Sequence, residues 1–298
     1  MQFGSFTAAG IMLRPRLLAF LLFLLLLSNE SVAQQRGVVA DAASHAPLSY
    51  VSIYSSGSTK IGTYSNFDGE FTLPVNLQSD TVVFSLLGYQ SHFQELEKIF
   101  STDTIFLYEE PLQLAAIEVK AEKKVKTRMG PSSSSGNLRV GSNLASWYSE
   151  LAVFFKANSV TPLYVDSIEL YLLLQDKNSK GGYARVNLYT VGNNMFPSDP
   201  LINRSFLVKA QAPHWRGKWY SIDVSDFLLM MPENGLFVSV EFLPTMESDV
   251  TSKNTSIRFG KKYPLKTFER IAGNGWRHAI IQKLKPDYSP LIRLNLSN

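Results

Sequence analysis

The residues able to do chemistry are few and scattered. The four histidines, His45, His92, His214 and His278, share none of the His-x-Glu-x-His or His-x-x-x-His spacings that bring imidazoles onto one ion. No metal site is expected. No Gly-x-Ser-x-Gly elbow, phosphate loop or dinucleotide fingerprint occurs, so neither a nucleophilic centre nor a cofactor is expected, and no residue is assigned a catalytic role. Asp223, Asp226, Glu233 and Glu241 are close in sequence, and paired carboxylates are the usual glycosidase device. They would have to face each other across a cleft at about 5–9 Å, which closeness along strands does not arrange. They read instead as solvated strand ends with a helix cap at Ser225 or Asp226. Asp68-Gly69 lacks the further acidic residues of a calcium loop and reads as a turn. What remains is aromatic: Trp215, Trp219, Tyr220 and Trp276 flank loops, where exposed rings can stack on sugar faces. The plainer reading is that these large side chains close the ends of the sandwich core, since aromatic residues dominate β cores.

Such rings need a scaffold, and the composition says which. A chain of 298 residues is long enough for two cores. Aromatics at 12% against only 18% charged residues suit half-buried strands. The net charge of +4 is spread out. Its one compact run, Lys120, Lys123, Lys124, Lys126 and Arg128, falls between the expected domains and reads as a solvated spacer, so no nucleic-acid partner is expected. Near the N-terminus, Arg14 and Arg16, the apolar run from Leu17 to Leu27, and the small residues Ser31 and Ala33 have the parts of a secretory signal, with cleavage expected after Ala33. That run is too short to cross about 30 Å of hydrocarbon, and no other segment approaches the length needed. No transmembrane helix is therefore expected in the mature chain. The absence of Cys removes both a disulfide framework and an acylation site, and fits a bacterial envelope. The expected location is the periplasm, the outer membrane or the outside.

From Gly37 the chain reads as short β segments: Gly37–Ala40, Ser49–Tyr54, Lys60–Ser65, Gly69–Pro74, Thr81–Leu86 and Thr104–Leu107. Residues Ser65 to Gly69 supply Asn, Asp and Gly for what should be a hairpin turn. Regular strands without intervening helical periods argue for an antiparallel sandwich. The opening strand Gly37-Val38-Val39-Ala40-Asp41, then Ala46-Pro47-Leu48 before Val51-Ser52-Ile53, then Thr63 through Asn66-Phe67-Asp68-Gly69-Glu70-Phe71, then Phe84 to Tyr89, come in an order that resembles the carboxypeptidase regulatory-like domain. That resemblance implies a transthyretin-like, seven-stranded sandwich over residues 35–120. In Bacteroidetes envelopes such a module commonly precedes a TonB-dependent receptor, and Ile117 to Ala121 is similar to the segment that follows it there. With about 170 residues left, the chain is expected to lack the plug and the many-stranded barrel.

Residues 121–137, ending in a Ser and Gly stretch, read as a linker. Beyond it, over 138–298, eight or nine strands are expected: Leu151–Lys156, Asp166–Leu174, Ala184–Val191, Arg204–Lys209, Trp219–Val224, Leu236–Leu243, Ser256–Phe259, Arg277–Gln282 and Leu291–Leu296. In Asp166–Leu174, as in Arg185-Val186-Asn187-Leu188-Tyr189, apolar residues alternate with polar ones, so one face should be core and the other solvated. Asp226–Met231 is the single expected helical turn. The fold class is all-β: two β-sandwiches, the second jelly-roll-like.

These readings converge on a non-enzymatic, exported envelope protein that docks to other envelope proteins or binds surface glycans. The alternative is a carbohydrate-binding accessory protein that uses the aromatics of the second sandwich.

Overall fold

Period-two alternation runs through most of the chain, and the computed structural model is all-β, with two sandwiches. It describes residues 36–110 and 125–298, apart from 58–61, 75–76, 78, 100, 137, 142–148, 175–180, 212–215, 245–254, 262, 264 and 272–273. The expected signal, Arg14 to Gln34, the segment Ile117 to Ala121 and Trp215 lie outside the described residues. None of the described helices is long and apolar enough to cross a membrane.

Among the described residues the first sandwich has the expected seven strands: β1 (Arg36–Asp41), β2 (Ser52–Ser55), β3 (Gly62–Tyr64), β4 (Glu70–Thr72), β5 (Thr81–Ser85), β6 (His92–Glu95) and β7 (Thr104–Leu107). They form sheets of order β4-β1-β7 and β3-β2-β5-β6. Val39, Ile53, Phe71, Val82, Phe84 and Leu107 fill the space between the sheets. Each such side chain contributes about 1.5–3 kcal/mol through its burial.

The turn before Gly69 corrects the hairpin expectation. Its two flanking strands do not pair with each other: β3 pairs with β2, and β4 with β1, so the turn carries the chain from one sheet to the other. Asn66 explains how the turn closes without a ladder. Its side-chain oxygen accepts from the backbone N–H of Asp68 and of Glu70. Gly69 sits at φ 75°, and a Cβ there would lie 2.4 Å from the Val39 carbonyl oxygen. Only glycine lets this turn approach β1 so closely.

Among the described residues the second sandwich has two seven-stranded sheets, more strands than expected. One sheet holds β10 (Ser149–Phe155), β12 (Gly182–Val191), β13 (Pro197–Pro200), β14 (Phe206–Ala210), β16 (Leu236–Leu243), β18 (Thr267–Ile271) and β19 (Arg277–His278). The other holds β8 (Lys126–Met129), β9 (Leu138–Gly141), β11 (Tyr164–Leu174), β15 (Lys218–Asp223), β17 (Thr255–Gly260), β20 (Ser289–Pro290) and β21 (Ile292–Ser297). The inward rows Ile168, Leu170, Leu172 and Val186, Leu188, Val240, Phe242 meet between them.

Three other expectations change. Lys126–Met129, placed in the linker, is a strand that pairs with β21. Its exposed Lys126 and Arg128 give it the charged character of an edge strand. The segment Arg277–Gln282 is strand only at Arg277–His278, and a short helix follows at Ile280–Leu284. There the Gln282 side chain accepts from the Thr267 N–H and donates to the Leu265 carbonyl, replacing a strand partner. The helical turn is shorter than expected, a 3-10 turn at Ser225–Phe227 stopped by Leu228 in the left-handed region. It is Asp223 that holds it, accepting from the Ser225 N–H and hydroxyl, and these bonds draw the Asp223 carboxyl below its usual range. Gln35–Asn298, both sandwiches together, forms one compact unit.

Candidate functional site

The alternation in Arg185-Val186-Asn187-Leu188-Tyr189 puts Val186 and Leu188 in the core, as expected, but the other face is not solvated. Arg185 is 4% exposed, Asn187 3% and Tyr189 4%, because the first sandwich lies over them. Strand register builds the site. Across four neighbouring strands, β12-β16-β10-β18, Arg185 is opposite Glu241, Glu241 opposite Glu150, and Glu150 opposite Arg270. One row of the sheet therefore reads Arg, Glu, Glu, Arg, with the two carboxylates side by side at the centre.

Two carboxylates on directly opposed positions would repel and destabilise the sheet if left alone. Each is compensated from its outer side. Arg185 Nη1 lies 3.2 Å from Glu241 Oε2, and Arg270 Nη2 lies 2.7 Å from Glu150 Oε2. Hydrogen bonds complete the shells. Asn187 donates to Glu150 Oε1 at 3.0 Å, Tyr189 at 3.2 Å, and Ser239 also donates to it. Burial pushes the Glu150 carboxyl up, but the Arg270 charge and the bonds from Ser239, Asn187 and Arg270 outweigh it, leaving it below the ordinary range. Burial likewise raises the Tyr189 phenol, and the Glu150 charge raises it further.

The first sandwich supplies the remaining partners. The Tyr64 hydroxyl donates to Glu241 Oε1 at 2.7 Å, and Arg185 Nη2 donates to the Tyr50 carbonyl. Around this contact Tyr50, Tyr64, Leu243 and Tyr183 form a small apolar cluster. At the far side, Asn203 donates to the carbonyls of Gly88 and Glu110. Between these two anchor points the sandwiches stand apart over a cleft of about 600 Å³. Its floor is the charge row with Asn187 and Tyr189, and its roof includes Ser52, Tyr54 and Ser85.

The aromatics singled out from the sequence do not share a surface. Trp219 is half-buried on the outer face of the β11 sheet, edge-on to Tyr171 at 5.4 Å and beneath Arg293 at 3.8 Å. Tyr220, its neighbour on β15, packs against the core between the sheets, and its hydroxyl accepts from the Gln211 N–H. Trp276 lies against the outer face of the opposite sheet, where Arg270 sits 4.4 Å from its ring. Of the candidates described, only Trp276 thus reaches the charge row. The four carboxylates once considered as pairs also separate: Asp223, Asp226 and Glu233 are exposed, whereas Glu241 is buried and its neighbouring carboxylate is Glu150. Sequence reasoning missed Arg185, Glu150 and Arg270. The available signal was Ser239 and Glu241 standing in the otherwise apolar strand Leu-Phe-Val-Ser-Val-Glu-Phe-Leu.

The row has a measurable pH signature. The folded Glu150 value lies below the unfolded one, about 4.3, so its stabilisation is complete above that pH and is lost as pH falls through the folded value. Unfolding free energy from urea titrations is expected to hold steady down to about pH 5 and to decline below it. Glu150→Gln is expected to shallow that decline, and an unaltered acid limb in the variant would place the sensitivity in other groups.

Comparison with known proteins gives a module and a distant likeness. No curated protein matches the sequence. Among solved structures, the cysteine protease and lectin-like domains of Cwp84, a surface layer associated protein of Clostridium difficile, align at a TM-score of 0.39 and 12% identity, over 84% of this chain and 58% of that one. The clostridial cysteine protease Cwp84 after propeptide cleavage aligns at 0.40 and 12%, over 84% of this chain and 65% of that one. The chain thus spans less than two thirds of either. Residues 35–123, the first sandwich and the segment after it, match the model of the CarboxypepD_reg-like domain.

Proposed function

We propose that the chain is a non-enzymatic, exported envelope protein whose paired sandwiches serve as a docking or binding module. The observation that carries this reading is the state of the buried carboxylates. A general acid and base need environments that drive their protonation apart, whereas Glu150 is held ionised and both carboxylates are neutralised by arginines already in contact with them. Such a row fixes the geometry of a joint and leaves a cleft beside it, with loops at the rim available for contact. The basic, apolar and small residues before Gln34 support export.

Expression of the full chain in a bacterial host, followed by fractionation and N-terminal sequencing, tests this. The expected product starts at Gln34 and is recovered with the envelope, where crosslinking captures a partner. A chain that keeps its first 33 residues in the cytosol would overturn the exported reading, and substrate turnover abolished by Glu150→Gln in a folded protein would overturn the non-enzymatic one.

A further inference from the structure

We infer that the cleft between the two sandwiches is a binding site for a neutral, polyhydroxylated ligand, a short oligosaccharide chain. The inference rests on the binding-module reading and specifies its ligand. The cleft volume, about 600 Å³, is in the range of small-molecule sites. Its chemistry selects among ligand classes by what is already spoken for.

An anionic ligand finds little free positive charge. Arg185 is engaged by Glu241 and by the Tyr50 carbonyl, and Arg270 gives Nε to Glu150 and Nη2 to Glu150 and Tyr189. A cationic ligand finds both central carboxylates occupied, Glu150 by Arg270, Ser239, Asn187 and Tyr189, and Glu241 by Arg185 and Tyr64. Displacing any of these would leave a buried charge unpaired.

What the cleft still offers is hydrogen-bonding capacity of both kinds. Ser52 and Ser85 line the roof and Ser198 the rim; the Ser85 hydroxyl accepts from Ser91 and can still donate, and the Ser198 hydroxyl donates to Asp199 and can still accept. Asp199, exposed at the rim, keeps its second carboxylate oxygen as an acceptor. Arg270, on a side chain that is 31% exposed, spends Nε and Nη2 on Glu150 and Tyr189 and carries further N–H donors on Nη1. Tyr54 and Tyr189 bring ring surface to the same cavity. Planar polar groups for vicinal hydroxyls beside aromatic rings for C–H faces are what a sugar requires; the internally neutralised floor holds no charge for a ligand to meet, and the exposed Glu110 and Asp199 at the rim make a cation the competitor to test.

The test is isothermal titration of the full chain with maltotriose, cellotriose, mannotriose and chitotriose, and separately with hexalysine. The expected result is saturable binding of at least one trisaccharide. It should weaken about ten-fold or more in Ser85→Trp, which fills the roof without removing a charge partner, and in Asp199→Ala, and be unchanged in Trp219→Ala on the opposite face; a ten-fold change corresponds to about 1.4 kcal/mol. Circular dichroism of each variant establishes that it is folded. Absence of binding to all four sugars, binding of hexalysine that the sugars do not displace, or sugar binding lost only in Trp219→Ala would each overturn the inference. Envelope recovery and partner capture are read independently, so failure here leaves the docking reading to stand or fall on its own test.

Discussion

Arg185→Ala is expected to cost about 3–5 kcal/mol of unfolding free energy, because it leaves Glu241 as an uncompensated buried charge. Both side chains are nearly inaccessible in the folded protein, at 5% and 8% exposure, so the lost guanidinium was the main compensation for the carboxylate. The variant also loses the bond from Arg185 to the Tyr50 carbonyl, and with it one of the ties between the sandwiches. Urea denaturation of the two proteins side by side measures the cost. The informative companion is the triple variant Arg185→Met, Glu241→Leu and Tyr64→Phe, which removes the charge pair together with the hydroxyl bonded to it. Replacing a complete buried ion pair by apolar groups of similar volume is often neutral or stabilising, so most of the lost stability should return. A triple variant as unstable as the single one would mean that the ion pair itself, rather than the isolated charge, sets the cost.

The second large effect is expected at Phe84. Its ring is fully buried and lies 5.4 Å from Phe71, edge to face. The core it belongs to is small, so there is little around it able to collapse into the space. Phe84→Ala should cost about 3–5 kcal/mol. The readout has an advantage built into the sequence: Trp147, Trp215, Trp219 and Trp276 all follow the first sandwich, so tryptophan fluorescence reports only on the second half. If the buried charge row joins the halves into one cooperative unit, Phe84→Ala shifts the tryptophan-detected transition as far as the one seen by far-ultraviolet circular dichroism. A tryptophan transition that stays in place while dichroism shows an earlier step would mean that the joint does not couple them.

The fold was legible because strand physics is local. Alternation identified β11, β12 and β16 nearly to the residue, and the turn chemistry of Asn66 and Gly69 marked a real reversal. The missed strands are short or charged, as with Lys126–Met129 and Pro197–Pro200, where no run of apolar residues announces a ladder. The site was not legible for a different reason. A polar residue at every second position implies water on that face, and nothing in Arg185 or Asn187 says that a second sandwich covers it instead. Glu150 and Arg270 are joined only through register across strands far apart in the chain. The aromatics misdirected attention because rings on neighbouring residues, such as Trp219 and Tyr220, point to opposite faces of a strand.

The placement of β21 governs the order in which the chain can become structured. This strand lies between β11 and β8, and its bond from Arg128 to Asn295 spans 167 residues of sequence. The first sandwich needs only the segment from β1 to β7, so it can be finished while the rest of the polypeptide is still emerging. The β11 sheet has no such freedom: until Ile292–Ser297 arrives, β8 has no neighbour and one flank of β11 is an open ladder. Closing so distant a pairing is slow, and an open ladder invites pairing with another chain. During synthesis the second sandwich is therefore the part that must be kept from meeting its own kind.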